Sequence, residues 1–306
     1  MSSTFRVATF NCENLFARYK FNSKVPSEAG STGFSINDTH FDFADEDSKK
    51  LTAKAIREVD ADIICLQEVE SLPILDRFAS RYLARQKYTH RICVDGNDPR
   101  KIDVAFLSRY PITGIKTHRH LKRKGSGIRI FSRDCLVATF DIQGHELTLY
   151  ANHLKSMMGG RNETKKRRVE QVKALVAILE DDWSPYDYNG NFIVLGDLND
   201  KVDRQSSLIA LLKHPHLVNI IDRLPKNERW THFWNREGEY SQLDYLLVSK
   251  ALDDAASHPV PGIMRKGLPW RAEDAKGERF DDVGENTPKA SDHAPFYVDI
   301  PFSALE

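Results

Sequence analysis

The chain has 306 residues, of which 41% are hydrophobic and 29% are charged, a composition typical of a globular protein with a sizeable core. Its 44 basic residues balance 44 acidic residues, which excludes a chain that is basic throughout and leaves room for local charged patches. No stretch is apolar enough to cross a membrane, and the N-terminus lacks the features of a signal peptide, so we expect a cytoplasmic protein without membrane insertion.

Short apolar or alternating runs predict β-strands along most of the chain. Runs such as DIICL and FIVLG are apolar throughout, so both faces of these strands should be covered. In chain order, the predicted strands are FRVATFNC, ADIICLQEV, DVAFLS, CLVATFDI, ELTLYANHL, NFIVLGDLN, LDYLLVS and APFYVDI.

Apolar residues at helical spacing lie between some of these strands. Residues 48–60 and 163–181 carry apolar side chains three or four positions apart, and a short helix is predicted over 206–213. From Tyr88 to His153, in contrast, strand patterns follow one another without a long helix. We therefore expect mixed sheets packed on each other, with helices outside them.

Two stretches have no regular pattern. Residues 20–47 are polar with several aromatics, and residues 253–290 contain four prolines, four glycines and many charges. Loops of this length inside a compact domain are usually functional or disordered. Because the sequence shows no internal repeat and no linker, we predict a single domain over residues 1–306 with these two irregular loops.

The cysteines lie in apolar, strand-like surroundings and form no CxxC motif, so we interpret them as reduced core thiols. The pairs His118/His120 and His214/His216 suggest zinc as an alternative, but neither pair has a cysteine nearby. The cysteines are Cys12, Cys65, Cys93 and Cys135.

Acidic, amide and imidazole side chains occur where several apolar strands begin or end, which is how open sheets build a site. Each one alone has a structural explanation, such as capping a turn or a helix. Helix caps, however, need no apolar strand before them, so six such positions in one chain favour a shared site. The residues are Asn11, Glu13, Gln67, Glu68, Asn152, His153, Asp197, Asn199, Asp244, Asp292 and His293.

The chemical types in this set favour a hard divalent cation. Carboxylate and amide oxygens suit magnesium or manganese, whereas zinc favours clustered histidine and cysteine. The candidate oxygen donors are Asn11, Glu13, Glu68, Asp197, Asn199 and Asp292.

Seven motifs occur in an order that resembles the endonuclease/exonuclease/phosphatase superfamily. They are FNCENL, LQEVE, SRYPI, NHLKS, GDLND, LDYLLVS and SDHAPF, running from about residue 5 to residue 300. Members include deoxyribonuclease I, apurinic endonucleases, inositol polyphosphate 5-phosphatases and neutral sphingomyelinases. The resemblance implies an α/β fold, a four-layer α/β/β/α sandwich of two mixed β-sheets flanked by helices. It also implies divalent-metal hydrolysis of a phosphate ester by in-line attack of water.

The resemblance also implies roles for individual residues. The expected metal-side residues are Asn11, Glu13, Glu68 and Asp292, with Mg²⁺ or Mn²⁺ as the cofactor. The expected catalytic residues are His153, Asp197, Asn199, Asp244 and His293, with Asp244 orienting His293. Substrate contacts are predicted for Asn152, Lys155, Arg109 and Arg129.

Local charge is the main clue to the substrate. Residues 116–133 and 161–168 are strongly basic, and residues 265–271 place a tryptophan between basic residues, a pattern typical of nucleic-acid binding. We therefore expect a nuclease acting on DNA or RNA. The same basic loops also suit an inositol phosphate or a lipid headgroup, and a catalytically inactive binding module is a third possibility. No protein partner is implied.

Overall fold

The computed structural model describes residues 3–21 and 39–306 of the chain. The strands are β1 (Thr4–Leu15), β2 (Ala17–Phe21), β3 (Thr39–Phe43), β4 (Ile63–Val69), β5 (His90–Cys93), β6 (Asp103–Ser108), β7 (Ile112–Thr117), β8 (Cys135–Ile142), β9 (His145–His153), β10 (Phe192–Asp197), β11 (Leu217–Asn219), β12 (His232–Trp234), β13 (Glu239–Ser241), β14 (Asp244–Ser249), β15 (Gly262–Ile263) and β16 (Phe296–Pro301). The helices are α1 (Glu46–Val59), α2 (Leu72–Tyr82), α3 (Arg161–Trp183), α4 (Ile209–Leu212) and α5 (Lys250–Ala255).

Within the described residues, the strands form two six-stranded sheets and two small two-stranded ribbons. The first sheet has the order β15-β16-β1-β4-β6-β5, and the second has the order β11-β14-β10-β9-β8-β7. β1 runs parallel to β4 and β9 runs parallel to β10, whereas neighbouring strands elsewhere in the sheets are antiparallel. Both sheets are therefore mixed, as predicted.

The two sheets pack face to face around a common core. Val7 and Phe106 of the first sheet belong to the same buried cluster as Leu149 and Leu195 of the second. Burying each such side chain contributes about 1.5–3 kcal/mol, so this interface is a major source of stability. It also fixes the strand ends of one sheet against those of the other.

Helices cover the outer face of each sheet. Ile56 of α1 and Phe78 of α2 pack with Leu66 on the first sheet, and Leu175 of α3 packs with Val194 on the second. The four layers are thus helices, sheet, sheet and helix, which confirms the α/β/β/α prediction.

The predicted helices correspond to α1, α3 and a shorter α4, but α2 was not predicted from the sequence. Pro73 lies in the first turn of α2, where a helix needs no backbone donor and proline is tolerated. The helix buries Ile74, Leu75 and Phe78 on one side, so tertiary packing supports it.

The irregular stretch predicted near 20–47 lies largely outside the described residues, because residues 22–38 are among those not described. The stretch 253–290 is built mostly of turns, yet it packs Leu268 and Ala272 against Trp230 and Phe233. All four cysteines are free thiols. Among the described residues, no helix is both long and apolar enough to cross a membrane.

Candidate active site

The polar positions at the strand ends meet at one edge of the two sheets. In the first sheet Asn11 pairs with Gln67, and in the second Asp197 pairs with both His153 and Asp244. A cavity of about 340 Å³ opens at this edge. Its lining includes Asn11, Glu13, Glu68, His153, Asp197, Asn199, Asp292 and His293.

The two central strands of the first sheet become irregular beside the cavity. The register of β1 shifts after Asn11, and that of β4 shifts around Glu68. Glu13 and Glu68 have φ angles of 45° and 64°, in the left-handed region that costs a non-glycine residue about 1–3 kcal/mol. Such bulges re-aim side chains at the end of a ladder, and here they turn both carboxylates toward the cavity.

Lys49 of α1 anchors the irregular end of β1 through its backbone. Its Nζ atom donates to the carbonyl oxygens of Cys12 at 2.6 Å and Glu13 at 2.8 Å, and the side chain is buried. Burial lowers the pKa of Lys49. The lysine fixes the backbone that carries Asn11 and Glu13, a role that the sequence pattern did not reveal.

Asp197 lies at the end of β10, close against β9. The preceding Gly196 has φ 128°, and a Cβ atom there would lie 1.9 Å from the carbonyl oxygen of Asn152, so only glycine fits. Asn199 donates to both carboxylate oxygens of Asp197 at 2.9 Å, and Asn11 donates to Oδ2 at 3.1 Å. Burial raises the pKa of Asp197 to about 7, with His293 opposing this shift and Asp244 adding to it.

His293 is held between two carboxylates. Its Nδ1 atom donates to Oδ2 of Asp244 at 2.8 Å, and its Nε2 atom lies 3.8 Å from Oδ2 of Asp197. Burial disfavours the imidazolium form, but Asp244 and Asp197 outweigh burial and raise the pKa of His293 well above its usual range. The two carboxylates therefore favour the imidazolium form of His293.

The surroundings of His153 shift its pKa in the opposite direction. Its Nε2 atom lies 3.5 Å from Asp197 and 3.9 Å from Glu68, and the ring is buried. Burial lowers the pKa of His153 well below its usual range, and the cations Arg133 and His293 lower it further. The cavity thus favours the neutral form of one imidazole and the charged form of the other.

The donor set around Glu68 fits a hard divalent cation. Glu68 accepts from the side chain of Asn11 at 3.4 Å and from the backbone of Asn14 at 3.0 Å, and its carboxylate is partly open to the cavity. Asp292 forms a second group, because ligand atoms of Asp292, His232 and His293 lie within 4.8 Å of one another. The carboxylate of Glu68 and the amide of Asn11 are ligand types that magnesium and manganese use, whereas the second group contains two imidazoles.

The carboxylate of Glu13 is occupied by an ion pair and a hydrogen bond within the protein. Its carboxylate accepts from Nζ of Lys289 at 2.8 Å and from the backbone N–H of Asp292 at 3.0 Å. Burial raises the pKa of Glu13, the Asp292 charge raises it further, and Lys289 opposes both. These contacts tie the end of β1 to the segment before β16, and direct metal binding by Glu13 stays a prediction.

Asn152 and Lys155, predicted to contact substrate, lie beside the cavity but not in its lining. Asn152 is buried and donates to the carbonyl of Tyr150 at 3.0 Å. The Nζ atom of Lys155 lies 3.3 Å from Ser156, which does line the cavity.

Arg109 and Arg129 do not line the cavity, so neither residue is placed to contact a substrate bound inside it. Arg109 follows β6 at the end of the first sheet opposite the site, where it pairs with Asp62 at 3.0 Å and also with Asp60. Arg129 lies in the connection between β7 and β8, where it donates to the carbonyl of His120 at 2.9 Å. A motif match identified Arg109, but its side chain completes a structural ion pair.

Sequence reasoning missed several residues that line the cavity. Arg100 pairs with Asp98 at 2.9 Å, and buried Arg133 donates to the carbonyl of Leu154 at 2.8 Å. Both arginines lie in a segment that leads into a strand. Because this pattern is common on protein surfaces, it did not identify them as site residues.

The aromatic stretch RWTHFW, residues 229–234, contributes both to the core and to the cavity. Phe233 is 2% exposed, whereas Trp234 is 39% exposed and lines the cavity together with His232. Alternation along β12 explains the difference, because successive side chains of a strand point to opposite faces.

The sequence profile of the Endonuclease/Exonuclease/phosphatase family matches residues 6–265. The chain belongs to this family, whose members are generally dependent on a divalent metal, and membership supports a phosphoester hydrolase. No curated protein matches the chain in a sequence search.

Several solved structures share the fold over nearly the whole chain. A mannosyl-6-phosphatase from Bacteroides thetaiotaomicron has a TM-score of 0.61 at 17% identity and covers 97% of this chain and 100% of its own. The human Nocturnin catalytic domain with bound sulfate has a TM-score of 0.59 at 16% identity, covering 98% and 94%. TDP2 from D. rerio, complexed with a single strand DNA product, has a TM-score of 0.60 at 14% identity, covering 97% and 99%. At these identities the likeness shows the fold alone.

Proposed function

We propose that the cavity hydrolyses phosphodiester bonds of DNA or RNA with Mg²⁺ or Mn²⁺, by in-line attack of water. The observation that carries this proposal is the convergence of Glu68, His153, Asp197 and His293 on one cavity from separate strand ends. Their chemical types match the needs of phosphoester hydrolysis, namely a metal ligand, a proton acceptor and a cation for the phosphate.

Asn11 and Glu68 would hold the cation, and Asp292, which also lines the cavity, would be a further ligand. When bound, the cation neutralises charge on the phosphate and on the leaving oxygen. Side chains of the protein carry out the proton transfer and stabilise the remaining charge.

Asp197 accepts a proton from the attacking water. Its pKa of about 7 places this carboxylate near the optimum for a general base at neutral pH. The hydrogen bonds from Asn199 and Asn11 hold both oxygens in place, so the water meets a fixed acceptor.

His293 supplies positive charge to the phosphate oxygens. Asp244 fixes the ring through Nδ1, which leaves the Nε2 proton facing the cavity. A preorganised cation of this kind stabilises the charge that develops on the pentacoordinate phosphorus. Neutral His153 contributes a hydrogen bond to the phosphate or to the leaving oxygen.

Arg100 and Trp234 in the cavity lining support a nucleic-acid substrate, because arginine pairs with phosphate and an aromatic ring stacks on a base. The structural likeness to TDP2 with a DNA product fits the same class. A sugar or inositol phosphate is the second candidate, supported by the likeness to a mannosyl-6-phosphatase.

The test is to incubate the purified protein with plasmid, single-stranded DNA, RNA, inositol hexakisphosphate and mannose 6-phosphate, with magnesium, manganese or a chelator. Cleavage of nucleic acid that the chelator abolishes supports the proposal. Phosphate release from the small phosphates alone supports the second candidate. No turnover with either metal would leave a binding module as the better description.

A further inference from the structure

We propose that the connection of residues 119–131 between β7 and β8, the basic hairpin, binds the sugar–phosphate backbone of a nucleic-acid strand that leaves the cavity. Exposed Lys166 of α3 precedes Arg167, whose side chain donates to the carbonyl of Arg129 in this hairpin. The inference rests on the proposed phosphodiesterase function and adds a second, polymer-specific contact to it.

The basic hairpin emerges from the same sheet edge as the cavity. Thr117 at the end of β7 pairs with Leu136, Leu136 with Ala151, and Ala151 with Leu195, two residues before Asp197. Strands lie about 4.8 Å apart and rise about 3.3 Å per residue, so the base of the hairpin lies roughly 16 Å from Asp197. A nucleic-acid strand needs several nucleotides to span this distance.

The base of the basic hairpin is fixed to the rim of the cavity. The side chain of Asn97 donates to the carbonyls of Arg119 at 2.8 Å and Phe131 at 3.0 Å. Asn97 belongs to the loop of residues 94–102, which also supplies Arg100 to the cavity lining. The hairpin and the cavity therefore share a rigid connection.

The charge of the basic hairpin has one sign. The segment contains no acidic residue, although the whole chain has equal numbers of acids and bases. Arg123 pairs with Glu170 of α3, whereas Lys122 and Lys124 are exposed. Among the described residues, neither lysine lies within ion-pair distance of an acidic side chain, and the same holds for exposed Lys166. Unpaired cations beside a phosphodiesterase cavity suit further phosphates of the same polymer.

The tip of the basic hairpin allows close approach of a ligand. Gly125 and Gly127 have open space around them, so a phosphate can reach the backbone amides there. Leu121 and Ile128 are 38% and 52% exposed, which would also suit an anionic lipid surface. The rigid connection to the cavity favours the polymer, and the lipid surface is an outcome that the experiment distinguishes.

The binding test uses the double variant Lys122→Gln/Lys124→Gln in an Asp197→Asn background, which prevents cleavage during the measurement. Fluorescence anisotropy with a labelled single-stranded 20-mer is recorded from low to high salt. We expect affinity to weaken about tenfold at low salt, and the slope of log K against log[salt] to become shallower by about 1.4, as two lost phosphate contacts require. The matched control, Lys213→Gln/Lys226→Gln, changes two exposed lysines near β11 at the opposite edge of the second sheet and should bind as before.

Unchanged affinity and salt slope in the hairpin variant would overturn the proposal. Loss of binding to phosphatidylserine vesicles, without loss of oligonucleotide binding, would overturn it in favour of a membrane contact.

A turnover test separates this proposal from the proposed function. With Asp197 intact, the hairpin variant should hydrolyse bis(p-nitrophenyl) phosphate at the normal rate, and it should show a raised KM only on oligonucleotides long enough to reach from the cleaved bond to the hairpin. A raised KM on the small diester as well would contradict a remote contact. If the unmodified protein hydrolyses no phosphodiester, the proposed function fails, and the anisotropy result still decides whether the hairpin binds nucleic acid.

Discussion

Asp244 and His293, 49 residues apart along the chain, form a 2.8 Å hydrogen bond that joins the two sheets at the cavity. Asp244 begins β14 in the second sheet, whereas His293 lies just before β16 in the first. The N–H groups of Leu243 and Asp244 both donate to the hydroxyl of Thr231 at 3.1 Å, so the aspartate is itself fixed in place. The orientation of His293 therefore depends on how the two sheets pack.

Asp244→Asn should lower turnover about 100-fold or more, because the amide keeps the shape but no longer stabilises the imidazolium. Asp244 raises the pKa of His293, so its loss lowers that pKa. If catalysis needs the imidazolium form of His293, activity falls as pH rises through the pKa of this side chain. The variant should therefore lose activity at a lower pH than the unmodified protein. The kcat–pH profile of a phosphodiester substrate measures this shift. An unchanged profile would contradict the orienting role.

Glu68→Ala, Asp197→Ala and His293→Ala should each lower turnover about 100-fold or more while the protein stays folded. Circular dichroism checks the fold, and kcat on bis(p-nitrophenyl) phosphate measures the loss. Arg109→Ala is the control, since this residue lies at the far end of the first sheet and should retain normal turnover per folded molecule. Near-normal rates in all three site variants would show that the assignment is wrong.

Patterns of apolar residues predicted most of the fold because burial on both sides of a strand leaves a clear mark. FIVLG and DIICL became β10 and β4 in the centres of the two sheets. Helix α2 was missed because Pro73 interrupts its pattern, and only packing of Ile74 and Phe78 against the first sheet makes the helix evident.

Site residues that stand at the end of a buried strand could be predicted from the sequence. Site residues that depend on contacts between distant segments could not. Asp197 and His153 follow buried strands and meet as expected. Lys49, in contrast, is one of many lysines on a helix, and only the structure shows that it reaches two carbonyls of β1. Arg109 illustrates the converse, because a matching motif does not show which end of a strand faces the site.

Glu68→Gln should raise the magnesium or manganese concentration needed for half-maximal activity about 10-fold to 100-fold, since an amide is a weaker ligand than a carboxylate. Calorimetry with Mn²⁺ in the absence of substrate gives a second measurement that is independent of turnover. Glu146→Gln, an exposed glutamate near the opposite end of β9, is the matched control. Equal metal affinity in the two variants would place the metal elsewhere.

Lys49→Met should destabilise the protein by about 1–3 kcal/mol, because the carbonyls of Cys12 and Glu13 lose their buried donor. Because the freed end of β1 carries Asn11, the variant should also need a higher metal concentration for half-maximal activity. Urea unfolding and a metal titration measure the two effects. Lys50→Met, which changes an exposed neighbour, should show neither. A stability loss with an unchanged metal requirement would limit Lys49 to a structural role.

Asp103 gives the fold a pH dependence that can be separated from catalysis. Its side chain is buried and accepts from the N–H of Gly96 at 2.9 Å, and burial raises the pKa of Asp103 to about 6, above the value near 3.9 expected in the unfolded chain. Between these values the folded state holds more protons than the unfolded state, so this group weakens stability as pH rises from about 4 to 6.

Asp103→Asn keeps the acceptor for Gly96 but removes the buried charge, so it should stabilise the protein at pH 7.5 by about 1–2 kcal/mol. The gain should shrink as pH falls below 6 and vanish only at a pH roughly one unit below the unfolded pKa of about 3.9, where the wild-type carboxyl is protonated in both states. Urea unfolding at several pH values measures the difference, and Asp95→Asn, an exposed acid of the same loop, should show no such trend. A gain or loss of the same size at every pH would mean that packing, and not the buried charge, sets the effect.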